Sequence, residues 1–195
     1  MSKIAIKGAT TGTGVFTLES PATNTDRTLI LPDEAGTVLT SASDVAQKGV
    51  PAFRAELRTN TAFSTATWTL VPLSTSVFDT ASCFDIGTYK YTPNVAGYYQ
   101  FISTSRFSGS SLGQVFTAIM KNSTSLASGE AVASQGLSMG TASANPTIPA
   151  SCVIYMNGTT DYVCLLAYAE GNSLNFDYSS AGFCNFLSGV LVRAD

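Results

Sequence analysis

The stretch Val95-Ala96-Gly97-Tyr98-Tyr99-Gln100-Phe101-Ile102-Ser103-Thr104-Ser105-Arg106-Phe107 decides how the chain folds. It follows a turn signal at Pro93-Asn94 and then alternates with period 2, the spacing of a β-strand. Tyr99, Phe101, Ser103, Ser105 and Phe107 share one face, and Tyr98, Gln100, Ile102, Thr104 and Arg106 share the other. A strand this long cannot bury its aromatic face alone, so a second sheet must pack against it.

Working outward from that strand, the chain supplies more of the same signal. Before it lie Ala52–Leu57, Trp68–Val71, Val77-Phe78 and Tyr89–Tyr91. After it come Gln114–Lys121, Ile148–Met156, Asp161–Ala169 and Phe183–Val192, with Asn157-Gly158 as a hairpin signal between two of them. Ser128–Asn145 is rich in Ser, Gly and Ala and reads as a long loop or a weak edge strand. About eight strands at this turn spacing indicate an all-β sandwich or jelly roll.

Two segments, C-V-I-Y-M and Y-V-C-L-L-A-Y, are apolar without alternation, which predicts strands covered on both faces. With no helix pattern to cover the second face, a neighbouring subunit is the expected partner, and Val153, Tyr155, Tyr162 and Cys164 are the candidate interface residues.

Residues 1–45 form a separate region. Its short apolar pieces, Ile4/Ile6, Val15-Phe16, Leu29–Leu31 and Val38-Leu39, are divided by Gly, Pro and Asx turns and are too short for a core within one chain. Several copies wrapped together would bury them, so the region reads as an oligomeric shaft or anchor, with a flexible arm as the alternative. Residues 46–50 are a linker, preceded by Ser43 or Asp44 as a helix cap, and 51–195 form the head.

Composition narrows the function. Charged residues are only 12% of the chain, the net charge is −3, and six of ten basic residues fall within the first 60 positions. There is no basic run to hold nucleic acid. No segment reaches the length of a membrane span, and Met1-Ser2-Lys3 opens no signal peptide, so synthesis in a cytosol is expected. Cys83, Cys152, Cys164 and Cys184 are then expected as reduced, buried thiols.

There is no histidine, which removes Ser-His-Asp and Cys-His nucleophile systems and HExxH metal sites. The cysteines are separated by 68, 11 and 19 residues, with no CxxC pair for zinc. Gly8–Gly14 lacks the Gly-Lys-Ser/Thr ending of a phosphate loop. Asp79, Asp85, Asp161, Glu170 and Asp177 offer carboxylates for a glycan-cleaving pair, but at strand ends these residues are expected as solvated loop groups. No catalytic residue, cofactor or metal is expected. What remains is binding through the polar loops Ser108–Gly113, Ala127–Asn145 and Glu170–Gly182, with Asn145, Asn172 and Tyr178 as candidate receptor contacts.

Over residues 52–192, A-F-R-A, then Y-T-P-N-V-A-G-Y-Y-Q-F, then F-L-S-G-V-L-V resembles the C1q/TNF-like jelly roll. Gly97, Tyr99 and Phe101 match its central G-x-Y-x-F strand, and Phe186, Gly189 and Leu191 match its closing strand approximately. The resemblance implies a trimer, with Phe53, Tyr99, Phe101 and Phe186 in the subunit core. No calcium ligand set matches.

Thr28–Leu39, read T-L-I-L-P-D-E-A-G-T-V-L, resembles the L-P-D-x-x-G-T-V-L repeat of bacteriophage tail-fibre proteins. That implies a virion protein anchored to other virion proteins by Leu29, Leu31, Val38 and Leu39, and a homotrimeric head that touches a host-surface glycan or protein. The shortness of the shaft region keeps a capsid-decorating or head-fibre protein as the alternative.

Overall fold

The computed structural model describes residues 50–126, 130–142, 144–178 and 185–195, with a few isolated positions between 11 and 28. The anchor residues Leu29, Leu31, Val38 and Leu39, the helix-cap reading at 43–44 and Cys184 lie outside the described residues.

Thirteen strands are described. In chain order they are β1 Ala52–Leu57, β2 Thr61–Ala62, β3 Thr69–Leu70, β4 Thr75–Asp79, β5 Phe84–Asp85, β6 Lys90–Tyr91 and β7 Gly97–Ser110. Then follow β8 Leu112–Lys121, β9 Glu130–Ala142, β10 Thr147–Met156, β11 Val163–Ala169, β12 Asn172–Phe176 and β13 Asn185–Ala194. All pairings among them are antiparallel. Among the described residues no helix is long and apolar enough to cross a membrane.

The first sheet has the order β2-β12-β7-β13-β1-β4, with β10 also on β7. The second runs β5-β6-β11-β8-β9, with β3 on β11. β7 is the hub: it pairs with β10 over Gly97–Arg106, with β13 over Gly97–Thr104 and with β12 over Phe107–Ser110.

Between the sheets the core falls into two aromatic groups. Phe53, Tyr91, Tyr99 and Phe101, all fully buried, occupy one half, with the Phe53 and Tyr91 rings stacked at 3.9 Å. Phe63, Phe107 and Phe176 occupy the other, Phe63 stacking on Phe176 at 4.3 Å. The inward positions of β7 between them are Ser103 and Ser105, buried but paired: Ser105 Oγ shares a 2.7 Å hydrogen bond with Thr117 Oγ1 from the opposite sheet. Small hydroxyls are tolerated there because each has a partner.

One buried hydroxyl has none. Among the described residues, Tyr91 Oη is the buried side-chain polar atom without a hydrogen-bond partner. Burial, then the neighbouring Tyr99, push its pKa far upward. An unpaired buried hydroxyl costs stability, so Tyr91→Phe should raise the unfolding free energy by about 1 kcal/mol. Urea unfolding of both proteins at one concentration checks this, and a loss of stability would show that the hydroxyl has a partner.

Two expectations are corrected and one is narrowed. Of the two readings of Ser128–Asn145, the edge strand is the one formed: the 13-residue β9 stands at the edge of the second sheet, its register held by β8 despite weak periodicity of its own. Asn157-Gly158 is not a hairpin: β10 belongs to the first sheet and β11 to the second, so the connection crosses between them. There Asn157 Oδ1 accepts from the backbone N–H of Thr159, Thr160 and Asp161, making a side-chain-organised turn. Phe186 is not in the core; it alternates outward between Asn185 and Leu187, and the Arg54 guanidinium lies 3.8 Å from its ring centroid.

Candidate functional site

Strand alternation determines what the outer face of the first sheet presents. Tyr98, Gln100 and Ile102 on β7 register with Tyr155, Val153 and Ser151 on β10, and Gln100 and Ile102 with Val190 and Ser188 on β13. Further across, Ser188 registers with Arg54, and Arg54 with Phe78 on β4. The result is a broad face with Ile102 44%, Phe78 45%, Tyr98 47%, Val153 58% and the bulge residue Val192 60% exposed. Tyr98 and Tyr155 meet edge-on at 5.6 Å. Charged groups stand here too: Glu56 accepts from Arg54 at 2.6 Å and from Arg58 at 2.8 Å, Arg193 registers with Tyr98, and Tyr155 Oη donates to Asp195 Oδ2 at 3.1 Å. These apolar side chains are interspersed with Gln100, Ser151, Ser188 and Arg54; so many exposed large hydrophobics on one sheet face are characteristic of a binding surface.

The outer face of the second sheet is covered by its own chain. Ala118, Met120, Cys164 and Leu166 form a small buried cluster beneath Trp68 and Leu70. Trp68 sits over Phe116 and Tyr168 at 6.1 and 5.6 Å. Cys164 is fully buried, and its thiol donates to Ser123 O at 3.2 Å. Desolvation pushes its pKa up to about 12. It is therefore removed from the candidate interface: the segment that doubly buries β11 is the Trp68–Leu70 piece of the same subunit. Tyr162 is half-buried with Lys90 Nζ 4.2 Å above its ring, on the second sheet's side of the molecule. Of the four candidate interface residues, Val153 and Tyr155 lie together on the exposed face, and Tyr162 and Cys164 do not. β10 is also not covered on both faces; its pattern alternates strictly enough to leave Val153 and Tyr155 open.

The loops sort by end. At the Gly97 end of β7 lie the entry at Pro51, whose carbonyl accepts from Leu191 N, and the C-terminus, where Asp195 N donates to Ala96 O. The Asp161 network is here too. Lys121 Nζ contacts Asp161 Oδ2 at 2.8 Å, Asn122 Nδ2 donates to Oδ1 at 2.7 Å and Asn157 N to Oδ2 at 3.0 Å. Burial works to raise this carboxyl, but Lys121, Asn122 and the Asn157 N–H together hold it below the ordinary aspartate value. A depressed folded pKa gives stability that is present above the unfolded value of about 4 and lost as pH falls through the folded one. Urea midpoints should accordingly decline below about pH 4, and Asp161→Asn should flatten that decline. Equal slopes in the two proteins would remove Asp161 as its source.

At the Ser110 end lie all three candidate receptor residues. Asn145 is exposed just before Pro146, whose carbonyl accepts from Phe107 N. Asn172 is exposed opposite Ser110. Tyr178 is half-buried, its backbone N–H donating to Asn60 Oδ1 at 2.7 Å. The base of this end is held by Arg106 Nε on Asp177 Oδ2 at 2.5 Å, with Asn185 accepting from Arg106 N and donating to Asp177 O. Within the predicted loop Ala127–Asn145, strand β9 runs beside β8 from Lys121 to Leu112, so of its described residues only the Asn145 end belongs to this surface.

The groups of three or more Cys, Asp or Glu that a metal needs do not occur among the described residues. Cys83, Cys152 and Cys164 are free thiols.

No protein-family model and no curated protein matches the sequence. Solved structures do. The globular domain of zebrafish complement 1qA is 15% identical with a TM-score of 0.53, covering 74% of this chain and 99% of that one. Murine APRIL at pH 5.0 gives 14% and 0.55, covering 73% and 99%. Eiger TNF from S. frugiperda gives 8% and 0.56, covering 75% and 94%. At these identities the likeness is one of fold: the head is a C1q/TNF-like jelly roll, as Gly97-Tyr98-Tyr99-Gln100-Phe101 led one to expect.

Proposed function

We propose that this chain is a phage virion protein whose jelly-roll head forms a homotrimer and attaches the particle to the host surface. The observation that carries the reading is the open apolar face of the first sheet, on a molecule whose other sheet covers itself. Three copies turning that face toward a common axis remove it from water. The Leu31–Leu39 stretch, with its likeness to tail-fibre repeats, supports the virion setting, and residues 1–45 supply the contact to other virion proteins. The Ser110 end, with Asn145, Asn172 and Tyr178, is the surface for a host glycan or protein; β7 separates it from the Gly97 end of the head by roughly 40 Å.

The full chain should run at three times its 20.3 kDa mass in light scattering. Ile102→Glu, which would leave an unpaired charge in a closed interface, should give monomers. Added at saturating concentration, the trimer should block adsorption of the phage that encodes it. A trimer that leaves adsorption unchanged overturns the attachment role, and gold label spread over the capsid would assign it to decoration. A monomeric full chain overturns the assembly itself.

A further inference from the structure

The cover over the second sheet thins toward the Ser110 end, and there three half-buried aromatic rings reach the surface. On β8 the outward positions are Phe116 and, two residues nearer that end, the exposed Gln114. Phe116 registers with Tyr168 on β11 and with Gly136 on β9, and Gln114 registers with Ser138. The Phe116 ring occupies the space above Gly136, where an added Cβ would collide with ring atoms Cδ1 and Cε1. Trp68, just before β3, completes the group, with ring centroids 5.6 to 6.1 Å apart and planes inclined by 39° to 63°. Beside the rings stands the half-buried Glu170, its carboxylate fixed from two sides: Oε1 accepts from Tyr168 Oη at 3.0 Å and Oε2 from Gln114 N at 3.2 Å. None of the described ion pairs involves it. A carboxylate has roughly four acceptor positions, so this one keeps capacity for donors from outside the chain.

We propose that this surface binds a neutral pyranose of the host glycan, the C–H face of the sugar lying on the rings and its hydroxyls donating to Glu170. The inference rests on the attachment reading above and names the ligand class and the residues that take it. Aromatic faces with a few fixed polar groups suit a ligand that is apolar on one side and rich in hydroxyls at its rim. The uncompensated carboxylate repels acidic sugars, and an apolar peptide would desolvate it without supplying donors. A quaternary ammonium needs rings standing around it, whereas these three pack on one another and form a surface. Gln114 and Ser138 add side-chain donors and acceptors along the same row. The site runs into the Ser110 end, since Gly113 N donates to Glu170 O and Asn172 follows two residues on. Closing the first sheet within the trimer leaves this face outside.

Trp68 is the single tryptophan of the chain, so its emission reports on this site alone. Surface polysaccharide released from a strain to which the phage adsorbs should shift that emission when titrated into the full chain. Periodate treatment of the polysaccharide, which cleaves vicinal diols, should abolish the shift, and tetramethylammonium and oligogalacturonate should produce none. Glu170→Gln, with an unchanged urea midpoint, should bind the polysaccharide about tenfold more weakly, the loss of a hydrogen bond to a charged group. An emission indifferent to the polysaccharide, a Glu170→Gln variant of parental affinity, or a response to tetramethylammonium alone overturns the sugar site. In each of those cases a full chain that still blocks adsorption keeps the attachment reading. Polysaccharide binding that depends on Glu170 without any block of adsorption keeps the site and removes attachment.

Discussion

Phe101→Ala should lower the unfolding free energy by about 3–5 kcal/mol, the cost of truncating a large aromatic in a packed core. Phe101 is fully buried on the inward face of β7. It stacks on Tyr99 at 6.0 Å and meets Phe53 and Tyr91 edge-on at 6.4 and 6.1 Å. Its ring also lies over Gly189 of β13: a Cβ added there would come within 2.6 Å of two ring carbons. The ring thus fills the space that glycine leaves open, and no neighbouring side chain can expand into the cavity without leaving its own stack. Thermal unfolding should shift down on the order of 10 °C, read at fixed protein concentration because assembly contributes to apparent stability. A variant within about 1 kcal/mol of the parent would mean that the aromatic layer repacks, and would contradict the burial of this face.

Gly97→Ala should cost about as much for a different reason. Gly97 opens β7 at φ +152°, a conformation that L-residues rarely adopt. A Cβ would collide with the carbonyl oxygen of Arg193 and approach Ala194 Cα and Leu191 Cδ1 at 2.9 Å. The strain and the overpacking each cost about 1–3 kcal/mol, and the obstructing atom is backbone in the paired strand β13, which cannot swing aside. Chemical denaturation should place the variant about 3 kcal/mol or more below the parent on those two terms. Hydrogen exchange should show the loss first at the Ala194–Gly97 pairing. A stable variant with protection intact there would argue against the close approach of β7 and β13.

The face assignments of β7 were legible because strand geometry is local. Side chains two residues apart point the same way, so Tyr99 and Phe101 could be placed inward and Tyr98 and Ile102 outward without knowing the partner. The strand read at Ala52–Leu57 is β1 with the same bounds. Phe186 was misplaced because its strand is apolar at both parities: Phe186 and Leu187 are both plausible core residues, and only pairing with Thr104 and Glu56 shows which way each points. Cys164 failed in another way. The strand β11 is indeed buried on both faces, but its cover, Trp68 and Leu70, is distant in sequence and carries no periodic mark of its role. Ser128–Asn145 could be read only as a loop or a weak edge strand, because Ser, Gly and Ala have low strand propensity; pairing with β8 decides for the strand β9.

The sequence by itself determined that this is an all-β head with Gly97–Phe107 at its centre, since period-2 patterning is written residue by residue. It also excluded histidine-dependent catalysis and left no charge pattern for nucleic acid. Which apolar residues remain open was decided only by the tertiary structure. Exposure depends on what packs above a face, and the segments that cover the second sheet and leave the first bare come from remote parts of the chain. The same long-range pairing gathers Asn145, Asn172 and Tyr178 at one end of the sandwich.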